Sequence, residues 1–555
     1  MSEASAIGTD TAELRKARGA FFTPLKVTEF IAEWALRTGT EEVLEPSCGE
    51  AAFLVAAADR FAQLGWRDTP TLHGVELHAE SARTAKTLVE ATGTHADVIV
   101  SDFFLLDPAP RYDVVIGNPP YVRYQDFAGE SRSRSRAAAL RGGVNLTALA
   151  SSWAAFTVHS ALFLKPGGRM GLVLPAELLS VNYAAEIRSF LMRSFAEVQL
   201  VMFDERVFPG VLEEVVLLLA DGYQNGAATH MSIYQVSSPN DLTPDLVAYP
   251  WTPTTPGGKW TPSLLGRDAL AAYSSAVRSD AFTRLEDWGD TTLGMVTGNN
   301  KYFALSPERV RELGLIGSDL VRLSPPGSKH LRGLELTKDR LRNLGEEGAA
   351  TWLFRPAGTP SPAGQAYIDA GHRAGVDTAY KCRVRSPWWR VPVIQPADLF
   401  LTYMNADTPR ITTNKAGAHH LNSVHGIYLQ PHVRDIGLEL LPVASLNSLT
   451  LLGAEMVGRA YGGGMLKLEP READELPVPS PTLVASAAGD LAQIKPAVRS
   501  RLRAGDLLGA TVLVDEVLLA HDMHCTATQI TAIRAARAAL YSRRAARGGE
   551  PRTEA

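Results

Sequence analysis

The chain has 555 residues, enough for two hydrophobic cores, and with 45% hydrophobic and 21% charged side chains it has the composition of an ordinary soluble protein. A formal net charge of -5 gives no global sign of a polyanionic partner, so any surface for nucleic acid has to be local. Cys48, Cys382 and Cys525 are too few and too far apart for a disulfide framework or a zinc site, no run reaches membrane-span length, and the N-terminus lacks a signal-peptide core; a cytoplasmic chain without metal is expected.

Residues 1–16 read as a flexible N-terminus. Thr23 then caps a helix with Pro24 at its first position, and Val27, Phe30, Ile31, Trp34 and Ala35 recur on one face. Residues 42–45 form a short strand that enters the turn Glu45-Pro46-Ser47-Cys48-Gly49, with a helix from Leu54. Strand, small-residue turn and helix make the nucleotide-binding corner of a doubly wound α/β sheet, which makes Glu45, Ser47, Cys48 and Gly49 candidate cofactor contacts. A second strand, 71–75, ends in Glu76, suited to the two ribose hydroxyls of a nucleoside cofactor. A third, 98–100, leads to Asp102, suited to accept from the cofactor's adenine amine, and to Phe103, suited to pack on its ring.

Residues 113–116 read as a buried strand, broken by Gly117 and continued by Asn118-Pro119-Pro120-Tyr121 as a loop that cannot be helix. The prolines stiffen it, so the Asn118 oxygen and the Pro119 carbonyl can each accept one proton of a planar substrate's NH2 while the Tyr121 ring stacks on that substrate. The lone pair of an aromatic amine is delocalised into its ring and attacks poorly. Two acceptors draw the nitrogen toward tetrahedral geometry and stabilise the positive charge that builds as it attacks. Asn118, Pro119, Pro120 and Tyr121 are therefore the candidate catalytic residues. Residues 125–143, with several arginines and no hydrophobic period, read as a mobile basic loop or a solvated one; next to the motif, Arg132 and Arg134 stand where a phosphate backbone would pass. An apolar helix (149–164), a buried strand up to Pro175, a helix (177–195) and strands at 198–203 and 215–220 complete a first domain, 17–223, with Phe208 in the turn between the last two strands.

Residues 224–284 are rich in Pro, Thr and Ser and read as a connecting region with a few strands. Basic, amide and aromatic side chains then interleave through residues 285–480, the mixture that nucleic-acid recognition needs, with Asn299, Lys301, Lys381, Arg383, Arg385 and Lys415 as candidate DNA contacts. Trp388, Trp389, His419 and His420 read as packing. Residues 481–555 are helical and end in an Arg-rich stretch, Arg534 to Arg547, either a partner helix or a solvated end.

With Asn118 first, the Asn-Pro-Pro-Tyr motif resembles that of the amino-methyltransferases that use S-adenosylmethionine, in their N6-adenine branch. The Thr23-Pro24 helix is similar to one that covers the methionine end of the cofactor in those enzymes. The turn after Glu45 is similar to their glycine-rich loop, with Ala51 where they have a second glycine. Phe208 resembles an aromatic residue that faces the target base opposite the tyrosine. Residues 285–480 resemble the target-recognition domain of type II adenine methyltransferases of the gamma class, the TaqI kind. The resemblance implies a Rossmann-like class I methyltransferase domain, a C-terminal α+β target-recognition domain and a helical tail. It also implies S-adenosylmethionine as cofactor, a flipped-out adenine in double-stranded DNA as substrate, and service in a restriction-modification or defence system, with a cognate restriction endonuclease as a candidate partner. Two other readings stay open. One is a protein-glutamine N5-methyltransferase, whose substrate also presents a planar NH2 to Asn-Pro-Pro-Tyr; the other is a DNA-binding subunit of a restriction or defence complex.

Overall fold

Val43–Glu45 (β1), Leu72–Glu76 (β2), Ala96–Val100 (β3), Tyr112–Gly117 (β4) and Leu164–Pro175 (β5) are parallel neighbours in the order β3-β2-β1-β4-β5. This is the architecture of a computed structural model, which describes residues 23–65, 71–122, 129–148, 150–204, 207–208, 214–253 and 255–546. Leu25–Ala35 (α1), Ala52–Gln63 (α2) and Ala79–Glu90 (α3) alternate with the strands, and every residue of β1 and β2 is buried, as a parallel sheet covered on both faces requires. The strand order reverses between β1 and β4. The loops leaving the carboxyl ends of those two strands therefore part and open a crevice between them.

Beyond β5 the sheet continues through Phe195–Phe203 (β6), Val215–Tyr223 (β7), Met231–Val236 (β8) and Tyr249–Trp251 (β9), in the order β5-β7-β6-β8-β9. β8 and β9 lie in the stretch whose composition reads as a connection, yet Met231, Ile233 and Trp251 are buried, so part of that stretch is sheet. The expected loop at 125–143 needs correcting more firmly, because it contains the helix Gly129–Arg141 (α4), with residues 123–128 outside the described ones. Its buried face consists of Ser135, Ala138 and Ala139, side chains too small to leave a hydrophobic period. Glu130 and Arg134 pair across one turn at 2.6 Å. Its end approaches Ser152–Ala161 (α5) so closely that a Cβ on Gly142 would lie 2.4 Å from Val158.

The chain divides into Met1–Leu264 and Leu265–Ala555. The second unit is α+β. Gly289–Leu293 (β10), Leu399–Thr402 (β11), Ile411–Thr413 (β12) and Val424–Leu429 (β13) form an antiparallel sheet in the order β10-β13-β11-β12. Among its helices are Ser448–Val457 (α6), Leu507–Asp515 (α7) and Ala527–Ala546 (α8). In the part of the Arg-rich stretch that is described, Arg534 pairs with Asp515 of α7 at 2.6 Å and the buried Arg544 with Glu455 of α6 at 2.8 Å, so α8 is a partner of helices in its own chain; Arg547 lies outside the described residues. Among the described residues no single helix is long and apolar enough to cross a membrane.

Candidate active site

Asn118 to Val122 leave β4 at the crevice, and α5 holds them there. The Ser152 hydroxyl donates to the Pro120 carbonyl and accepts from the Val122 N–H at 2.9 Å, while the Ser152 N–H donates to the Val122 carbonyl at 3.1 Å. Ser152 is 2% exposed, so water does not compete for these bonds, and a loop whose two prolines lack N–H groups is fixed by one residue. Sequence reasoning missed Ser152, because nothing in its own neighbourhood marks it.

The Asn118 amide Nδ2 donates to the Thr23 hydroxyl at 3.2 Å, and its Oδ1 accepts from the Tyr121 hydroxyl at 2.7 Å. The same Tyr121 hydroxyl lies 2.9 Å from the Val173 carbonyl. One hydroxyl has one proton, so Val173 is a second acceptor for it. A new donor arriving at Asn118 Oδ1 can thus displace the tyrosine without leaving it unsatisfied. Thr23, expected at the cofactor, orients the Asn118 amide in this structure. Phe208 is 3% exposed and belongs to the apolar cluster against which Tyr121 packs, so here it is a packed aromatic.

On the other wall, Glu76 Oε2 accepts from Gly49 N–H and Oε1 from His78 N–H, both at 2.9 Å, which leaves one lone pair on each oxygen for a diol. Gly49, at φ 50°, has nothing within 4 Å of the position a Cβ would take, so the turn is open above its backbone. Leu77, directly after Glu76, is 61% exposed and offers an apolar face that sequence reasoning also missed, though its place after a strand-end acid was a usable signal. Ala51 adopts φ 62°, the left-handed region that favours glycine, at a cost of about 1 kcal/mol. The turn keeps the geometry of its missing glycine.

Three expected cofactor contacts face inward. Glu45 accepts from Leu54 N–H at 3.2 Å; burial first, and the Glu76 carboxylate after it, push its carboxyl well above the usual carboxylate range. A carboxyl so placed organises the start of α2. The Cys48 thiol packs over Gly74, where a Cβ would lie 2.9 Å from Sγ, and burial with the two acids pushes the thiol up into its inert neutral form. Phe103 is 3% exposed and stacks with Phe156 and Phe163 beneath His159, so it is an interior ring, not an open platform. Asp102 accepts from Phe104 N–H at 3.1 Å and lies 3.6 Å from Arg134, which also holds Glu130. Arg134 therefore has two carboxylates already, and Arg132 sits half-buried on the same helix.

In the second unit, Gly298 brings the segment of Asn299 and Lys301 against that of Lys381: a Cβ on Gly298 would lie 3.0 Å from the Cβ of Lys381 and 3.1 Å from the Cys382 sulfur. Lys301, Lys381 and Arg383 are exposed, and Lys301 lines a cavity of about 610 Å³ with Arg309 and Tyr367. The other expected contacts are spent internally. Asn299 caps the turn at Tyr302 (3.2 Å), Arg385 donates to the Thr297 and Lys381 carbonyls, and Lys415 bridges Glu335 at 2.9 Å and Glu439 at 3.3 Å. His420 is fully buried, and Trp388 and Trp389 pack against the unit's apolar cluster. Among the described residues no cluster of three His, Cys, Asp or Glu side chains could hold a metal ion.

The family model described as N-6 DNA Methylase matches residues 7–240, and that described as Type II methyltransferase M.Eco57I, C-terminal domain, matches residues 257–519. The chain is 26% identical to Type II methyltransferase M.XamI of Xanthomonas campestris pv. amaranthicola, over 83% of this chain and 85% of that one. It is 22% identical to Type II methyltransferase M.AccI of Acinetobacter calcoaceticus, with the same coverage of 83% and 85%. Among solved structures, the type IIL restriction-modification enzyme MmeI in complex with DNA superposes with a TM-score of 0.52 at 12% identity, covering 94% of this chain and 75% of that one, a likeness of fold.

Proposed function

Because the chain belongs to the type II DNA methyltransferases that place an N-6 DNA methylase domain before an M.Eco57I-type C-terminal domain, we propose that its Asn118–Tyr121 loop carries out the adenine-N6 transfer. The observation that carries the assignment is the Asn118 carboxamide, oriented by Thr23 and Tyr121 at the rim of the crevice that Glu76 and Gly49 line.

S-adenosylmethionine, when bound, supplies a methyl group activated by a sulfonium. The crevice fits its nucleoside: Glu76 has lone pairs for two ribose hydroxyls, Leu77 presents an exposed apolar face, and the turn at Gly49 is open. Asp102, with Oδ1 on Phe104 N–H, is the acceptor for the cofactor's adenine amine. Asn118 Oδ1 and the Pro119 carbonyl accept the two protons of the substrate amine, and Tyr121, its hydroxyl turned to Val173, presents its ring to the base. These acceptors strengthen as positive charge grows on the nitrogen, which lowers the barrier without a covalent step on the protein. An adenine within a duplex does not reach such a loop, so the base leaves the stack. Lys301, Lys381 and Arg383, exposed on the second unit, hold the DNA backbone, and a cognate restriction endonuclease is the partner such a modification enzyme protects against.

Asn118→Ala is expected to lower turnover about 10²–10³-fold in a tritiated-methyl assay, with cofactor affinity kept. Equal turnover would reject the role.

A further inference from the structure

One turn of helix in the second unit, Tyr380–Arg383, presents side chains that the rest of the unit does not cover. It stands on Cys382, which is fully buried with its Sγ 3.6 Å from the Thr297 carbonyl. Arg385, just beyond it, donates to the Thr297 and Lys381 carbonyls, and the Gly298 backbone comes so close that a Cβ there would lie 3.0 Å from that of Lys381. The turn is therefore fixed from behind, and a partner that meets its outer side has no ordering cost to offset.

That outer side is apolar. Tyr380 and Val384 are 65% and 60% exposed, and the Val384 N–H bond to the Tyr380 carbonyl at 3.2 Å sets them one helical turn apart, where side chains are neighbours. Two large apolar side chains left together in water gain free energy when a partner covers them. The surroundings say which partner. From Thr378 to Ala397 the sequence contains no acidic residue, and Asp377, just before, is taken by His372 at 2.8 Å. Lys381, Arg383 and Arg390 are exposed, and none of them has a carboxylate within ion-pair distance among the described residues. The Lys381 ammonium lies 5.7 Å from the centre of the Tyr380 ring, so charge and ring are presented together. Unpaired cations beside an apolar pair match anionic rails with base edges and thymine methyl groups between them, which is a groove of duplex DNA.

We propose that Tyr380 and Val384 form a wedge that enters a groove of the DNA substrate and packs on base edges there, with Lys381 and Arg383 on the flanking phosphates. This rests on the DNA methyltransferase reading and adds a contact that carries base information, which contacts to phosphate do not.

The test uses the full chain and its Tyr380→Ala, Tyr380→Phe and Val384→Ala forms. Affinity is measured across a salt series for a duplex that the parent methylates and for an unrelated duplex. An apolar contact releases no counterions, so Tyr380→Ala is expected to lose affinity about ten-fold on the methylated duplex with the slope of log affinity against log salt unchanged. On the unrelated duplex, where binding is ionic, it should lose little. Tyr380→Phe should bind as the parent does, because the ring makes the contact, and Val384→Ala should lose a few-fold. Full affinity of Tyr380→Ala in a chain that still methylates DNA overturns the wedge alone, and so does an equal loss on both duplexes. Loss in Tyr380→Phe equal to that in Tyr380→Ala marks a role other than the ring's and overturns it too. If Tyr380→Ala keeps its DNA affinity but loses a self-association that the parent shows in sedimentation, the pair is a contact between copies and the DNA assignment falls. A parent chain that neither binds nor methylates DNA overturns both readings.

Discussion

In the first unit Glu76, Asp102 and Asn118 stand at the ends of parallel strands, each held by backbone N–H or hydroxyl groups that leave an oxygen lone pair for a ligand. In the second unit Arg385 and Lys415, whose charges stand out equally in the sequence, are taken up by carbonyls and carboxylates of the same unit, Glu335 being eighty residues from Lys415. The contrast follows from architecture. A parallel sheet delivers successive strand ends to one edge, so order and spacing report on the site. An antiparallel reader folds distant segments together, and a residue's type does not say whether its charge is still available.

Acid should separate the two units most. Burial pushes His330 and His420 of the second unit down to about 4, and His159 of the first to about 4 as well. His419 and His425 shift the same way in the second unit, and His73 in the first. In each case the unfolded chain takes up its proton near the usual histidine value while the folded one resists. The stability these groups contribute is present above that value and is lost as pH falls through about 4, up to about 3 kcal/mol for each strongly shifted histidine. In Glu41 of the first unit, burial would raise the carboxyl, but backbone N–H groups of Arg37 and Thr38 hold it at about 2, so its contribution survives until lower pH. Hydrogen exchange on the full chain between neutral pH and about 5 should show the second unit opening first. Simultaneous opening would erase the distinction.

Next in size is Ser152→Ala. Freeing the Pro120–Val122 backbone should lower kcat about 10–100-fold with cofactor affinity unchanged, and Ser152→Thr should recover part of it. A variant with full kcat would mean that the prolines alone hold the loop. The smallest effect sharpens the second half of the comparison. Lys381→Ala should reduce the salt slope of DNA binding by about 0.9, a few-fold in affinity, and Lys415→Ala should leave it unchanged. A drop for Lys415 would show that its two carboxylates release it to DNA.

The doubly wound sheet and the Asn-Pro-Pro-Tyr loop were legible because local pattern determines both. α4 was not, since its buried face is Ser and Ala and leaves no apolar period to find. Ser152 acts through the Pro120 carbonyl and the Val122 backbone, thirty-two and thirty residues away, and Phe103 is drawn inward by the rings of Phe156 in α5 and Phe163 just after it. Contacts of that range are set by packing. Ala51 shows the reverse case, where a broken motif persists because the surrounding turn imposes the backbone angle.

The sulfur wedged over Gly74 gives this protein a built-in stopwatch. Cys48 lies in one unit and Cys382 in the other, both buried, and for both burial raises the thiol above its usual range. A small alkylating reagent modifies either one only during an opening of its own surroundings. Peptide mapping of the label would therefore clock the breathing of the catalyst and of the reader separately, in one tube, with no engineered probe.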